Sequence, residues 1–184
     1  MNVPNILTAL RFVLIPIFAY FLFIEHYVAA AILFLAGGIT DVLDGYIARK
    51  YHMITPLGKI ADPMVDKLMQ ITAIVILSLV QKIIPVELLI IIIAKEIFMV
   101  IGTIVLYKQD NYVVSANWYG KMATVVFYLA IVMLIFDAPF SQWILLGLPF
   151  NQLFFLLAVM AALFAFFMYV RSYQKIKQNK SREK

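Results

Sequence analysis

Six apolar stretches follow one another along the chain, and polar positions are concentrated in the short segments between them. Each stretch is close to the length of about 20 residues that a helix needs to cross a bilayer. The stretches cover residues 6–24, 27–48, 62–80, 85–107, 118–136 and 151–170. The pattern predicts an all-α integral membrane protein. Six transmembrane helices would form one membrane domain over residues 1–170, followed by a basic tail over residues 171–184.

The composition agrees with this class. Hydrophobic residues make up 65% of the 184 positions and charged residues only 14%, whereas a soluble domain has about 45–50% and about 25%. The mean hydropathy is +0.97. The chain has no Cys, which excludes disulfides, thiolate catalysis and zinc–thiolate sites. No signal peptide is expected, because the first apolar stretch lacks a basic leader and contains Arg11.

The net charge of +5 comes from basic residues spread over the segments that flank the apolar stretches. The expected partner is therefore the headgroup region of a lipid bilayer rather than a nucleic acid. The second and fourth connections and the tail are rich in Lys and Arg, whereas the other three connections hold only Lys82. This asymmetry predicts a multi-pass protein of the inner (cytoplasmic) membrane, with both termini and the acidic site facing the cytoplasm.

Four of the ten acidic residues fall within the 26 residues from 41 to 66. Charged side chains are costly at membrane depth and usually face a polar, functional cavity. Asp41 and Asp44 are three residues apart near the end of the second helix, so they share a face. Asp62 and Asp66 are four apart at the start of the third helix and also share a face. The short turn between the two helices brings these faces together.

Four convergent carboxylates cannot all remain ionised in a low-dielectric cleft without counter-charge. Oxygen ligands without His or Cys favour a hard cation such as Mg²⁺ or Mn²⁺. Two such ions, about 3.5–4 Å apart, clamp phosphoryl groups during displacement. Gly45 and Ala48 leave room beside the acids, and the guanidinium of Arg49 suits a phosphate. A purely structural interpretation pairs the acids with Arg49 and Lys67, which are too few for four carboxylates.

The residues from Asp41 to Asp66 read D-x2-D-G-x2-A-R-x8-G-x3-D-x3-D. This ungapped motif resembles the signature of the CDP-alcohol phosphotransferase family, whose members are six-helix membrane enzymes and commonly homodimers. The resemblance implies that Asp41, Asp44 and Asp62 bind metal ions. It implies that Asp66 is both a ligand and the base that activates the acceptor hydroxyl. The implied contacts to the CDP part of the donor, with the space beside them, are Gly45, Ala48, Arg49 and Thr55.

The family divides by acceptor alcohol. Residues 2–8 with Arg11 resemble the N-terminus of bacterial phosphatidylglycerophosphate synthases, as does the segment 115–124. Asn5 and Thr8 are three residues apart and are expected to line the nucleotide pocket. Arg11 is a cation inside an apolar helix, so we expect it to face the site rather than snorkel to the headgroups. With Lys121 it is expected to hold the phosphate of glycerol 3-phosphate.

Two positions depart from the synthase pattern. Lys95-Glu96 stands where Arg-Glu is expected, and Ala123 stands where a second Lys is expected. Lys95 keeps the charge but loses the bidentate fork of Arg, and Ala123 removes a cation from the acceptor site. Phosphatidylglycerol, as in cardiolipin synthases, and inositol phosphate therefore remain alternative acceptors. Lys95-Glu96 is equally consistent with a structural pair that ties the fourth helix to its neighbours.

The expected reaction is metal-assisted displacement on CDP-diacylglycerol, with glycerol 3-phosphate as acceptor and CMP as leaving group. A transferase that joins a soluble CDP-alcohol to diacylglycerol would share the whole motif. A cation transporter is the alternative outside enzymes, because acids inside membranes also mark ion pathways. A transporter should scatter its acids across several helices at the midplane, whereas this chain groups them beside Arg49.

Overall fold

The computed structural model describes residues 3–51, 56–110, 118–136, 142–145 and 147–182. Most of these residues lie in six α-helices, one for each apolar stretch. The helices are α1 (Val3–Phe23), α2 (Tyr27–Lys50), α3 (Pro56–Val75), α4 (Val86–Asp110), α5 (Trp118–Ile135) and α6 (Phe150–Arg182). The helices agree with the predicted stretches in number and order. The chain is mostly helical, as predicted, and two strands of two residues each precede α6.

These strands are β1 (Ile144–Leu145) and β2 (Leu148–Pro149), which pair in antiparallel fashion. Gly147 lies in the turn with a φ of +80°, a conformation that glycine adopts without a steric penalty. The hairpin leads directly into α6, and Phe150 N donates to the carbonyl of Trp143 over 2.7 Å. The hydropathy pattern does not reveal such a short hairpin, because two-residue strands have no recognisable alternation.

The turns between helices have defined ends. His26 N donates to the carbonyl of Phe21 over 2.9 Å while Glu25 has a φ of 60°. This is the arrangement in which a left-handed residue ends a helix and satisfies its last carbonyls. After α3 the helix continues as a π-helical turn over Ile76–Val80, and Lys82 then has a φ of 58°. Pro85 immediately precedes α4. Because proline has no backbone N–H, it cannot continue the previous element, and α4 begins after it.

The core lies where α1, α2, α3, α5 and α6 meet, and aromatic rings fill much of it. Phe34 of α2 stacks on Tyr128 of α5 at 4.2 Å between ring centroids and contacts Phe18 of α1 at 5.4 Å. Phe127 and Phe155 link α5 to α6 at 5.7 Å. Large apolar side chains also cover the outer surface, as expected for a protein that faces lipid rather than water.

Two of the helices are long and apolar enough to cross a membrane by length and composition. These segments are Tyr27–Ile47 and Phe150–Arg171. Two further apolar segments within the described residues, Leu7–Phe23 and Gly120–Ile135, are shorter. The expectation of six spans and cytoplasmic termini thus stays a prediction. Helix α6 continues to Arg182, through the range predicted as a separate tail.

A glycine pair on α2 sets the spacing of the helices beside the acidic motif. A Cβ at Gly37 would lie 2.5 Å from Met69 Sδ of α3, and one at Gly38 would lie 2.8 Å from the ring of Tyr128. The absence of a Cβ therefore lets these two side chains lie against the α2 backbone, as small residues do between membrane helices. The pair precedes Asp41 by one turn, so it fixes the distance between α2, α3 and α5 just beneath the motif.

Candidate active site

Asp41, on α2, is bonded to a buried arginine of α1. Arg11 is 1% exposed, and its Nη1 donates to Asp41 Oδ1 over 2.6 Å, while the Asp41 side chain is 38% exposed. A guanidinium within an apolar helix must be paired, because its desolvation is otherwise uncompensated. Arg11 thus faces the acidic motif from the interior and supplies a fixed positive charge, and Asp41 presents its open side outward.

Asp66, on α3, is held by a neutral side chain. The amide Nε2 of Gln70, one turn further along α3, donates to Asp66 Oδ2 over 3.2 Å. Gln70 is buried with 8% exposure, and Asp66 is half-buried. An amide donor orients the carboxylate without adding a positive charge to the site. Asp66 and Asp41 therefore have partners of different kinds.

The two carboxylates belong to one electrostatic cluster. Asp66 lies close enough to Asp41 for their negative charges to repel, and Arg11 is near enough to Asp66 to offset part of this repulsion. Tyr128 reaches the same cluster from α5 and feels the charges of both carboxylates and of Arg11. Its hydroxyl donates to the carbonyl of Phe34 over 2.6 Å. Helices α1, α2, α3 and α5 thus converge on one acidic site, and Tyr128 lies at its base.

A second ion-pair group lies next to this site. Lys67, the residue after Asp66, extends to Glu96 of α4, with 2.5 Å between Nζ and Oε2. Lys95 binds the other oxygen of Glu96. Glu96 is 14% exposed, so it is a nearly buried carboxylate with a cation on each oxygen. The structural interpretation of Lys95-Glu96 is supported, because the pair joins α4 to α3 through Lys67.

The structure gives the burial of three of the remaining predicted site residues. Thr8 is buried on α1 and Gly45 is half-buried on α2, while Lys121 is exposed at the start of α5. Thr55 lies outside the described residues. The backbone positions of the others fall on α1, α2 and α3, but their side chains are outside the described part of the structure. These others are Asn5, Asp44, Ala48, Arg49 and Asp62.

The donor set fits a hard divalent cation. The described carboxylates Asp41 and Asp66 offer oxygen atoms, which Mg²⁺ and Mn²⁺ prefer. The other two predicted ligands lie about one turn away on the same helices, Asp44 three residues after Asp41 and Asp62 four before Asp66. Among the side chains that the structure describes, no group of three His, Cys, Asp or Glu is gathered for a metal ion. The two-ion site stays a prediction.

The sequence interpretation missed three contributors to the site. Gln70 had a usable signal, because a residue four positions after Asp66 lies on the same helix face. Glu96 was noted only with Lys95, and nothing in the sequence indicated that it would bind Lys67 across two helices. Tyr128 was not singled out, because its position among apolar residues of α5 is typical of a packing aromatic.

Comparison with known proteins decides the family. The family model of CDP-alcohol phosphatidyltransferases matches residues 1–167. This chain belongs to that family. The resemblance drawn from the acidic motif is confirmed, and the chain is a member of a family of phosphatidyltransferase enzymes. The cation transporter is accordingly set aside.

Curated relatives in this family carry related names. A CDP-diacylglycerol--glycerol-3-phosphate 3-phosphatidyltransferase of Bacillus subtilis (strain 168) is 35% identical over 175 residues, which cover 86% of this chain and 88% of the relative. A protein of the same name from Aquifex aeolicus (strain VF5) is 33% identical over 126 residues, covering 67% of this chain and 70% of the relative. A cardiolipin synthase (CMP-forming) / mitochondrial hydrolase fusion protein of Schizosaccharomyces pombe is 37% identical over 99 residues, covering 54% of this chain and 16% of that protein.

Proposed function

We propose that this phosphatidyltransferase family member uses CDP-diacylglycerol as donor and glycerol 3-phosphate as acceptor, and produces phosphatidylglycerophosphate and CMP. The observation that carries the proposal is the pair of carboxylates, Asp41 and Asp66, converging on one site within the family signature. The names of the Bacillus subtilis and Aquifex aeolicus relatives support the choice of acceptor. The protein would contribute to phospholipid biosynthesis.

In the proposed reaction, Asp66 accepts the proton of the acceptor hydroxyl. The hydroxyl oxygen then attacks the phosphorus that carries diacylglycerol, and a new phosphorus–oxygen bond forms. The bond from that phosphorus to the bridging oxygen breaks, and CMP leaves with the electron pair. Two Mg²⁺ or Mn²⁺ ions, held by Asp41, Asp44, Asp62 and Asp66, would neutralise charge on the pyrophosphate.

Arg11 has a defined part in this scheme. Its positive charge offsets part of the repulsion between Asp41 and Asp66. We assign the acceptor phosphate to the cationic side of the site, with Arg11 at its interior wall and Lys121 at its exposed edge. Asn5, Thr8, Gly45, Ala48, Arg49 and Thr55 are the proposed donor contacts.

One observation favours a second acceptor. Ala123 is 7% exposed on α5, so a lysine at this position would project into the interior rather than outward. The substitution therefore removes a cation from inside the protein. An acceptor whose phosphate carries less negative charge, such as the phosphodiester of phosphatidylglycerol, would need that cation less. The Schizosaccharomyces pombe relative carries the name of a cardiolipin synthase.

A product assay separates the acceptors. Purified protein is mixed with labelled CDP-diacylglycerol and Mg²⁺, and glycerol 3-phosphate, phosphatidylglycerol, inositol phosphate and serine are added in separate reactions. We expect labelled phosphatidylglycerophosphate with glycerol 3-phosphate and CMP release in equal amount. A labelled lipid formed only with phosphatidylglycerol would replace the proposal with cardiolipin synthesis.

We further propose a multi-pass homodimer of the inner (cytoplasmic) membrane with six spans, and with the site and both termini on the cytoplasmic side. The distribution of Lys and Arg supports this orientation. The chain has no native Cys, so single cysteines report without background. A cysteine at Gln178 should react with an impermeant thiol reagent only after the membrane is opened, and one at exposed Glu25 should react in intact cells. The reverse pattern would place the site outside.

A further inference from the structure

The hydrogen bond to Asp66 comes from a neutral amide, although the next residue in the chain is a lysine. The cation nearest to Asp66 in sequence, Lys67, forms its ion pair with Glu96, with 2.5 Å between Nζ and Oε2. Glu96 is also occupied by Lys95. A lysine bound directly to Asp66 would compete with a divalent ion or with the acceptor proton for the same oxygen atoms. By holding Lys67, Glu96 keeps the adjacent carboxylate available.

The contact to Asp66 comes instead from Gln70. Its Nε2 donates to Oδ2 over 3.2 Å, and Gln70 is 8% exposed. It lines a small cavity between α3, α4 and α5 together with Lys67, Glu96, Ile71, Ile74, Ile92 and Phe127. These apolar walls restrict the amide, so its hydrogen bond limits the rotation of the carboxylate. The other oxygen, Oδ1, is not used by this bond.

We propose that Gln70 is a positioning residue for Asp66, which it orients through Oδ2 without adding charge, and that Glu96 assists by withdrawing Lys67. The inference rests on the proposed function, because it assigns Asp66 to metal binding and proton acceptance. Partners that orient metal ligands affect metal affinity or activity by about 10- to 100-fold when they are removed. Gln70 acts through Asp66 and does not itself touch the reacting atoms.

The test compares Gln70→Leu with a matched control, Ser78→Ala. Ser78 is also buried on the same continuous helix, and its hydroxyl has no hydrogen-bond partner within the described structure. Gln70→Leu should lower kcat by about tenfold or more, while KM for donor and acceptor changes less than about twofold. Binding of Mn²⁺ without substrates, measured by electron paramagnetic resonance in detergent, should weaken by about tenfold. Ser78→Ala should change neither quantity.

Several outcomes decide the inference. Unchanged kcat and Mn²⁺ affinity in Gln70→Leu would overturn it, as would equal losses in Ser78→Ala that follow a lowered melting temperature. If Gln70→Leu does not fold, Gln70→Met, which keeps the unbranched shape and lacks the donor, decides by the same Mn²⁺ titration. Failure of the acceptor proposal is seen separately, in wild-type protein that makes no product with glycerol 3-phosphate. The Mn²⁺ comparison does not depend on that result.

Discussion

Polar side chains of different kinds lie in the first half of α3 and beyond the end of its π-helical extension. In the first half, Asp66 and Lys67 bear charges and bind other side chains across helices, Lys67 reaching Glu96 on α4. Beyond the second half, the polar contacts come from neutral amides that bind backbone carbonyls. Gln81 Nε2 donates to the carbonyl of Leu22 over 2.8 Å, and Gln152 Nε2 donates to that of Ile83 over 3.2 Å.

The difference separates the side chains proposed to take part in the reaction from those that hold the helices together. A carbonyl in the last turn of a helix, such as that of Leu22 in α1, lacks a partner within the helix. The Gln81 amide donates to this carbonyl and so connects α1 to the end of the π-helical turn. The charged groups near Asp66 bind other side chains. They face one another, with Arg11 and Asp41 at 2.6 Å. One end of the helix holds charges of both signs in place, and at the other end neutral amides connect the helices. An active site on a rigid bundle requires both.

The largest effect is expected from the charged end. Asp66→Asn should lower kcat by about 10²–10⁴, because the loss of a general base alone has this size. The protein should retain its melting temperature in detergent, since the amide keeps the shape and its bond with Gln70 is preserved by rotation. Initial rates of CMP release measure the effect. A variant with more than half of the wild-type rate would remove Asp66 from the chemistry.

A smaller effect should separate Arg11 from Lys121. If both hold the acceptor phosphate, Arg11→Ala and Lys121→Ala should each raise the acceptor KM about ten- to a hundredfold. A charge-assisted bond is worth about 1.5–3 kcal/mol, and about 1.4 kcal/mol is a factor of ten. Arg11→Ala should also destabilise the protein, whereas exposed Lys121 has no such role. The loss should be smaller than the about 3–5 kcal/mol of a fully buried pair, because Asp41 is 38% exposed and solvent screens its charge.

The donor provides the control for these two variants. The KM for CDP-diacylglycerol should change much less than that for the acceptor. Equal increases for donor and acceptor would assign both cations to the nucleotide or to the fold. Arg11→Lys, which keeps the charge but not the fork, should lie between wild type and Arg11→Ala.

The smallest effect on activity is expected at the neutral end. Gln81→Leu removes one of two donors to the carbonyl of Leu22, the other being Glu25 N at 3.2 Å. It should lower the free energy of unfolding by about 0.5–1.5 kcal/mol. The kcat per folded molecule should stay within about twofold of wild type. Thermal unfolding in detergent and initial rates below the transition measure the two quantities. A large loss of kcat without loss of stability would erase the distinction between the two ends.

The hydropathy pattern predicted the helices well where apolar residues define them. Helix α2 begins at Tyr27 as expected, whereas α3 begins at Pro56 rather than at Asp62. In the first turns of α3, Pro56, Gly58 and Lys59 interrupt the apolar pattern, although Pro at a first helical position is a recognised start. Helix α6 runs beyond its apolar part for a similar reason, because Lys, Gln and Arg are good helix formers.

Only those parts of the site that depend on the spacing of nearby residues could be predicted from the sequence. Asp41 and Asp66 follow from the motif, and Gln70 follows from the position four residues after Asp66. The contacts across helices do not, because they join residues far apart in the chain: Arg11 with Asp41, Lys67 with Glu96, and Tyr128 with Phe34. The last of these depends on how closely α5 packs on α2, where Gly38 lies against the ring of Tyr128.

The most direct test of the central claim is the metal dependence of lipid product formation. Purified protein is assayed with CDP-diacylglycerol and glycerol 3-phosphate in excess EDTA, and then after Mg²⁺ or Mn²⁺ is added beyond the chelator. The account predicts that product formation falls to background in EDTA and returns with either ion. It also predicts that Asp41→Asn needs more metal for half of its maximal rate. Full turnover in the chelator would contradict a metal-dependent site built on these carboxylates.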